Sequence, residues 1–422
     1  MTPDLPHSSL SDLGNLTDYD PDSMPVSRAR EFIGRFLQPV AALETVALRD
    51  AYRRTLAEDI VSGMNVPPHD NSAMDGYALR AADLAEGCTR FKVVGKAYAG
   101  APCTQEIDRG ECVRIMTGAL IPGGCDCVVM QEQTTADGDT VAIRGNHRAG
   151  QNIRRAGEDI SRGATMLLRG QTIRPAEMGL LASLGFDQVR VYRTLRVALF
   201  STGDELQQPG TPLGAGRIYD SNRYSLIGLL HELHVDIVDM GNVPDDPAAL
   251  RAALLHAADD ADAVITSGGV SVGEADHIKR LLAEIGEVVF WKIAMKPGRP
   301  LAYGKIGSCH FFGLPGNPVA VMVTFQQFVR DALRVLMGQH AAPAFTFAVT
   351  CTSPIRKLPG RTEFQRGILS QDEHGALRVR TTGEQGSGIL SSMSQANCFI
   401  VLPEEQGNVE AGAEVRVQLF PY

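Results

Sequence analysis

The 422-residue chain contains no run of about 18 apolar residues, so nothing in it reads as a membrane-crossing helix. Lysine and arginine form no long run. With 40 basic against 49 acidic residues the net charge is −9 and the pI near 5.6, which argues against non-specific nucleic-acid binding. The eight cysteines include no C-x-x-C pair. The close pair Cys125-Asp126-Cys127 is poorly spaced for structural zinc and gives no disulfide framework, so buried reduced thiols are expected. The N-terminal Met1–His7 stretch lacks a basic region followed by an apolar run, so no secretory signal is read and a cytoplasmic location is expected. What is present is an ordinary globular composition, 44% hydrophobic and 21% charged, with length for about three domains.

Residues 1–24 hold five aspartates and no lysine or arginine, the composition of a disordered acidic tail. A first helix is expected from Ala29, Phe32, Ile33, Phe36 and Leu37 on one face, with Ser27 as its N-cap. A second helical region is expected over Val46–Ile60. Residues 63–152 change character: Pro67-Pro68, Gly123-Gly124 and Asp137-Gly138 punctuate short apolar runs, as in a β-rich domain. Helical patterning returns at Pro175–Leu184, with Pro175 suited to the first helical position and Gly185 to the C-terminal cap. Residues 25–62 and 153–194 are therefore read as one discontinuous helical or extended domain, with 63–152 inserted. From 195 to 342, strands alternate with helices as in a doubly wound, mostly parallel sheet. Residues 343–422 return to strand alternation, as in a C-terminal β domain.

The stretch Ala263–Asp276 organises the α/β region. An apolar strand runs into Ser267-Gly268-Gly269-Val270-Ser271-Val272-Gly273, then Glu274, Ala275 and Asp276 opening a helix. So little side chain lets backbone N–H groups approach a ligand, and a helix start favours an anion. The neighbouring acids repel an anion unless a cation lies between, which suggests a phosphorylated ligand held with a metal. Ligands of open parallel sheets sit beyond the strands' carboxyl ends. Glu205, Asp245, Asp246, Glu274, Asp276, Lys292 and Lys296 all follow strand ends and should share one edge. Two carboxylates about 5 Å apart repel by roughly 3 kcal/mol at an effective dielectric near 20. Lysines, Arg299 or a Mg²⁺ ion bridging to phosphate would compensate. Singly, each residue also suits a plain role: Asp246-Pro247, for example, fits an ordinary helix start.

Seven stretches then carry a resemblance: DNSAMDGYA (70–78), RIMTGA (114–119), GQNIRRAGEDI (150–160), FSTGDEL (200–206), TSGGVSVGEAD (266–276), KPGRP (296–300) and GLPGNPV (313–319). In this order and spacing they resemble the molybdopterin molybdenumtransferase family, related to the C-terminal domain of gephyrin. The resemblance runs from about Met24 to Phe420. It implies an α/β multidomain fold: a molybdopterin-binding-type α/β domain, a helical linker domain, an inserted β-rich domain and a C-terminal barrel-like domain. It implies insertion of molybdenum from molybdate into adenylylated molybdopterin, with Mg²⁺ assistance and AMP release. It also implies an elongated homodimer in which the β-rich domain of one subunit approaches the α/β domain of the other. The molybdopterin adenylyltransferase and downstream cofactor-handling proteins are candidate partners.

Carried onto matching positions, the resemblance implicates Glu205, Asp245 and Asp276 in an acidic, metal-holding cleft, with Lys292 and Lys296 beside them. Ser267, Gly268, Gly269, Ser271 and Gly273 form the ligand-binding turn, and Pro315 and Pro318 shape the adjoining one. Asp75 and Thr117 are implied to come from the partner subunit, with Arg154 and Asp159 near a domain junction. Arg299 departs from the lysine common in the family. Three other readings compete. The sister adenylyltransferase typically shows GGTG where this chain has Gly268-Gly269-Val270-Ser271. A non-enzymatic scaffold need not keep the acidic and lysine positions, all present here. The third is a Mg²⁺-dependent phosphohydrolase.

Overall fold

The computed structural model describes Asp20, residues 22–268, 275–340 and 344–421, with 275–279 as backbone alone. The chain divides into two compact units. One comprises Met1–Glu44, Arg53–Thr55 and Tyr192–Tyr422, the other Thr45–Tyr52 and Leu56–Val191.

Helix α1 (Val26–Phe36) opens the first unit and buries Val26, Ala29, Phe32 and Ile33. Its N-cap is Pro25 with no side-chain cap, and Ser27 lies inside the helix. The proline presets a φ of −60°, so the helix starts earlier than the serine signal suggested. The acidic segment expected over 1–24 lies mostly outside the described residues. Its end is seated: Met24 is fully buried, its N–H donating to the Lys292 carbonyl at 3.1 Å.

The helix expected over Val46–Ile60 does not form. A single 3₁₀ turn, Leu48–Asp50, follows the extended Leu43–Ala47, and Arg53 takes a left-handed φ of 62°. Ala51, Leu56 and Ile60 still reach a common core with Ile173, Leu181 and Val191, so burial is met by an irregular path that mimics a helical period.

The second unit carries a six-stranded sheet of β1 (Gly76–Leu79), β2 (Arg90–Ala97), β3 (Glu111–Ile115), β4 (Cys127–Met130), β5 (Thr134–Asp137) and β6 (Thr140–Ile143), in the order β4-β1-β3-β2-β6-β5. Helix α2 (Pro175–Ser183) starts with its proline in the first turn, and Glu177 accepts from the Arg174 backbone N–H at 3.0 Å. Gly185 follows at φ +82°, the left-handed position a helix end favours.

Back in the first unit, β7 (Arg196–Thr202), α3 (Ser221–Glu232), β8 (Asp236–Val243), α4 (Pro247–Asp260), β9 (Ala263–Ser267), α5 (Ala275–Ile285), β10 (Glu287–Lys292), β11 (Met295–Lys296), β12 (Pro300–Ile306) and β13 (Cys309–Leu314) follow in sequence. The sheet order is β8-β7-β9-β13-β12-β10. Period-two alternation covers both faces: Val197, Leu199 and Ile265 meet α1 and Trp291 on one side, while Ala198, Phe200 and Val264 meet Leu250 and Leu254 of α4 on the other. The helix expected over Val319–Met337 is α6 (Pro318–Thr324) and α7 (Arg330–Leu336), joined by a π turn at Phe325–Val329.

The C-terminal strands are β14 (Thr346–Cys351), β15 (Thr362–Gln371), β16 (Leu377–Thr381), β17 (Cys398–Leu402) and β18 (Glu414–Leu419). They run β15-β16-β14-β18-β17 and return to β15, closing a five-stranded barrel around Val349, Val379, Ile400, Val415 and Val417. Closure removes the exposed edges of an open sheet. No helix among the described residues is long and apolar enough to cross a membrane.

Candidate functional site

Strand direction sets where the polar turns emerge. β7 is parallel to β8 and β9, and β9 to β13; β12 is antiparallel to both β13 and β10, so β10 runs with the rest. The carboxyl ends at Thr202, Val243, Ser267, Leu314 and Lys292 therefore lie along one edge. The edge is wide: β8 to β10 is five strand spacings, about 24 Å. Glu205 and Asp245 follow adjacent strands on one side, Ser267 and Pro315 lie near the middle, and Lys292 ends the far strand.

The middle is closely fitted. Gly268 has φ +93°, and a Cβ there would sit 2.5 Å from the Thr202 carbonyl oxygen, so only glycine lets β9 turn out against β7. Asn222, in the first turn of α3, donates from Nδ2 to Ser267 Oγ at 2.9 Å and to the Gly316 carbonyl at 2.7 Å. Among the described residues, neither its buried Oδ1 nor Ser201 Oγ has a hydrogen-bond partner. One helix thus ties the turn after β9 to the turn between Pro315 and Pro318.

On the β7–β8 side, Glu205 is exposed, with its carboxylate folded back over Gly203. Asn242 Nδ2 donates to the Gly203 carbonyl at 3.3 Å. Arg223, 7% exposed, bonds both oxygens of Asp239 at 2.6 and 2.8 Å, and its Nε donates to Asp220 at 3.2 Å. Burial disfavours the Arg223 charge, but these carboxylates outweigh it and raise its pKa. Asp220 in turn caps α3 by accepting from the Arg223 backbone N–H. These residues, with Gln207, Gln208, Met240, Gly241 and Asn242, line a cavity of about 400 Å³. Asp246 caps α4 through the Ala249 N–H at 2.9 Å, the plain role weighed for it, which leaves Asp245 exposed.

Both lysines are paired. Lys292 Nζ lies 2.5 Å from Asp22 of the N-terminal segment, and Lys296 Nζ 3.6 Å from Glu363 of the barrel. In the second unit, Thr117 donates to Asp75 Oδ1 from its backbone N–H at 2.8 Å and its hydroxyl at 2.7 Å. Those bonds, the backbone one first, lower the Asp75 pKa. Arg154 is exposed on a short strand opposite Asn71, and Asp159 donates its N–H to the Val66 carbonyl. The guanidinium that finds a carboxylate is Arg155, 2.5 Å from Asp70.

Three family patterns cover most of the chain: the MoeA N-terminal region (domain I and II) at residues 24–185, a probable molybdopterin binding domain at 198–335, and the MoeA C-terminal region (domain IV) at 348–420. The molybdopterin molybdenumtransferase of Haemophilus influenzae is 47% identical over 380 residues, 89% of this chain and 94% of that protein. The chain belongs to the molybdopterin molybdenumtransferase family. The Bacillus subtilis member is 34% identical over 406 residues, 94% of each chain. The crystal structure of the molybdopterin biosynthesis moeA protein from Pyrococcus horikoshii OT3 superposes with a TM-score of 0.82 at 30% identity, covering 94% of this chain and all of that one.

Glu205, Asp245 and Asp276 are the carboxylates expected from the sequence to hold a metal. Among the described residues no group of three His, Cys, Asp or Glu side chains could hold a metal ion. The Asp276 side chain lies outside the described residues, as do Gly269, Ser271, Gly273 and Glu274. Glu205 and Asp245, exposed on adjacent turns, still suit Mg²⁺, which takes one or two protein carboxylates and completes its shell with water and substrate phosphate. Sequence reasoning missed Asp220, Asn222, Arg223 and Asp239. The run Asp220-Ser221-Asn222-Arg223 ahead of an apolar helix was the available signal.

Proposed function

We propose that this chain inserts molybdenum from molybdate into adenylylated molybdopterin and releases AMP. Family membership gives a transferase role in molybdenum-cofactor biosynthesis. The finer reading is supported by the carboxyl edge, where exposed carboxylates, a glycine turn and Lys292 follow ends of the same sheet, and by Lys296 on the short strand just after Lys292. Ser267, Gly268, Gly269, Ser271 and Gly273 hold the phosphate side of the pterin, with Pro315 and Pro318 shaping the adjoining wall and Arg154 contributing to substrate binding. Lys292 and Lys296 attract molybdate and stabilise the charge that collects on the departing phosphate. Asp75 and Thr117 act on the site of a second copy in a homodimer. Glu205, Asp245 and Asp276 would hold Mg²⁺, which when bound would supply Lewis-acid polarisation of the pyrophosphate-like linkage.

The test incubates purified protein with adenylylated molybdopterin, molybdate and Mg²⁺. AMP release coupled to molybdenum incorporation is expected, and Asp276→Asn should abolish most of it with the fold intact. No release across varied metal and pH overturns the reading, and ATP-dependent synthesis of the adenylylated pterin would favour the adenylyltransferase instead.

A further inference from the structure

The chain takes an unusual path between β10 and β12. Instead of turning directly from one sheet strand to the next, it leaves the α/β sheet and adds β11 to the barrel, parallel to β15, with Lys296 in register with Glu363. The return runs through Gly298, whose missing Cβ leaves room for Thr324 Oγ1. Lys296 thus sits on a strand that the barrel holds.

Glu363 is 4% exposed, an expensive place for a carboxylate. Its Oε2 accepts from Gln365 Nε2 at 2.9 Å, and its Oε1 faces Lys296 Nζ at 3.6 Å. Of the other buried cations of the barrel, Lys357 feels the charge of Glu363 but neither it nor Arg366 hydrogen-bonds to it. Lys357 Nζ donates to the carbonyls of Leu358, Glu404 and Gln406, and Arg366 donates to Ser392 Oγ and the Gly386 carbonyl. A buried ion pair is weak evidence for stability, and its better-attested use is to fix a register. Lysine on its own is a point charge on a flexible four-carbon stem. Here the carboxylate anchors an ammonium that remains half exposed.

We propose that Glu363 is a positioning residue for Lys296: the barrel carboxylate fixes the ammonium and offsets part of its charge, so the C-terminal barrel sets how tightly an oxyanion such as molybdate is held. This rests on the proposed molybdenum insertion. Removing the carboxylate leaves a lysine that attracts the anion more strongly but presents it less well. Affinity and turnover should therefore move in opposite directions.

The test compares wild type with Glu363→Gln in AMP release at saturating adenylylated pterin, varying molybdate. The variant should show kcat lowered about tenfold, as misplacement of a reacting group costs, with KM for molybdate lowered about threefold. Glu363→Asp, which keeps the charge but not the reach, should restore KM and not kcat. A purely structural role would lower kcat and the melting temperature together with KM unchanged, and that result overturns the proposal. So does Glu363→Gln lowering KM equally in a Lys296→Met background. Equilibrium dialysis of molybdate separates the two claims: if wild type releases no AMP, the insertion reading fails, while tighter molybdate binding by Glu363→Gln still upholds the positioning of Lys296 and unchanged binding overturns it.

Discussion

Asn222 places its amide nitrogen between Ser267 Oγ, at 2.9 Å, and the Gly316 carbonyl, at 2.7 Å. The carbonyl can only accept, so the amide orientation is settled: Nδ2 faces both partners, and Oδ1 has no partner among the described residues. Asn222→Asp would set a carboxylate oxygen against that carbonyl in a buried site. The expected result is a loss of about 2–3 kcal/mol of stability, read by denaturant unfolding, together with slower AMP release. Unchanged stability would mean that the two turns are held by other contacts.

Thr117 and Asp75 allow a cleaner separation of activity from stability. Both are exposed, and Thr117→Val removes the hydroxyl bond while leaving the backbone N–H bond to Asp75. Melting should shift by no more than about a degree, as for most surface changes. AMP release should fall, and mixing the variant with Asp276→Asn should recover activity if the two residues serve one site from different copies. No recovery from the mixture would remove the second copy's contribution.

Local pattern made the strands, the turn at Gly268 and the α2 boundaries legible, because each depends on residues a few positions apart. Strand order does not, and that is where the reading of the site was incomplete. Lys292 was expected beside the acidic turns, but antiparallel β12 lies between β13 and β10 and carries it to the far edge, where Asp22 meets it. The Asn222–Ser267 and Lys296–Glu363 contacts join segments 45 and 67 positions apart (267 − 222 and 363 − 296), and no periodicity in either segment points to the other. The false helix at Val46–Ile60 has the converse cause: apolar spacing reports burial, and an irregular path can satisfy it.

His310 gives a pH dependence. It is 5% exposed, its Nδ1 is 3.2 Å from the Tyr303 hydroxyl, and its pKa is lowered to about 4, chiefly by burial. Lys305 contributes to that lowering, while Asp262 opposes it. The unfolded chain, with an imidazole pKa near 6.5, binds more protons than the folded one between pH 6.5 and 4. The stability is therefore fully present above about pH 6.5 and lost as pH falls toward 4, by up to about 3 kcal/mol. Denaturant unfolding of wild type and His310→Gln at pH 7.5, 6 and 5 should show the wild type losing stability faster on acidification. Parallel curves would assign the acid sensitivity to other groups.

Arg223 joins the α3 cap to Asp239 of β8, and its replacement tests whether the cavity wall depends on that link. Asp220, 2% exposed, would be left without its cation, whereas Asp239 remains partly in water at 38% exposure. Breaking a buried pair by removing one partner costs about 3–5 kcal/mol; water around Asp239 places Arg223→Met at the lower end. Arg223→Lys should not rescue it, because one ammonium cannot span Asp220 and both oxygens of Asp239 as the guanidinium fork does. Both variants should therefore melt well below wild type, while Asp220→Asn combined with Arg223→Met should recover part of the loss by removing the stranded charge. A double variant no more stable than Arg223→Met alone would show that Arg223 acts through packing against Tyr224, whose ring lies 5.1 Å from the guanidinium carbon, and not through the carboxylates.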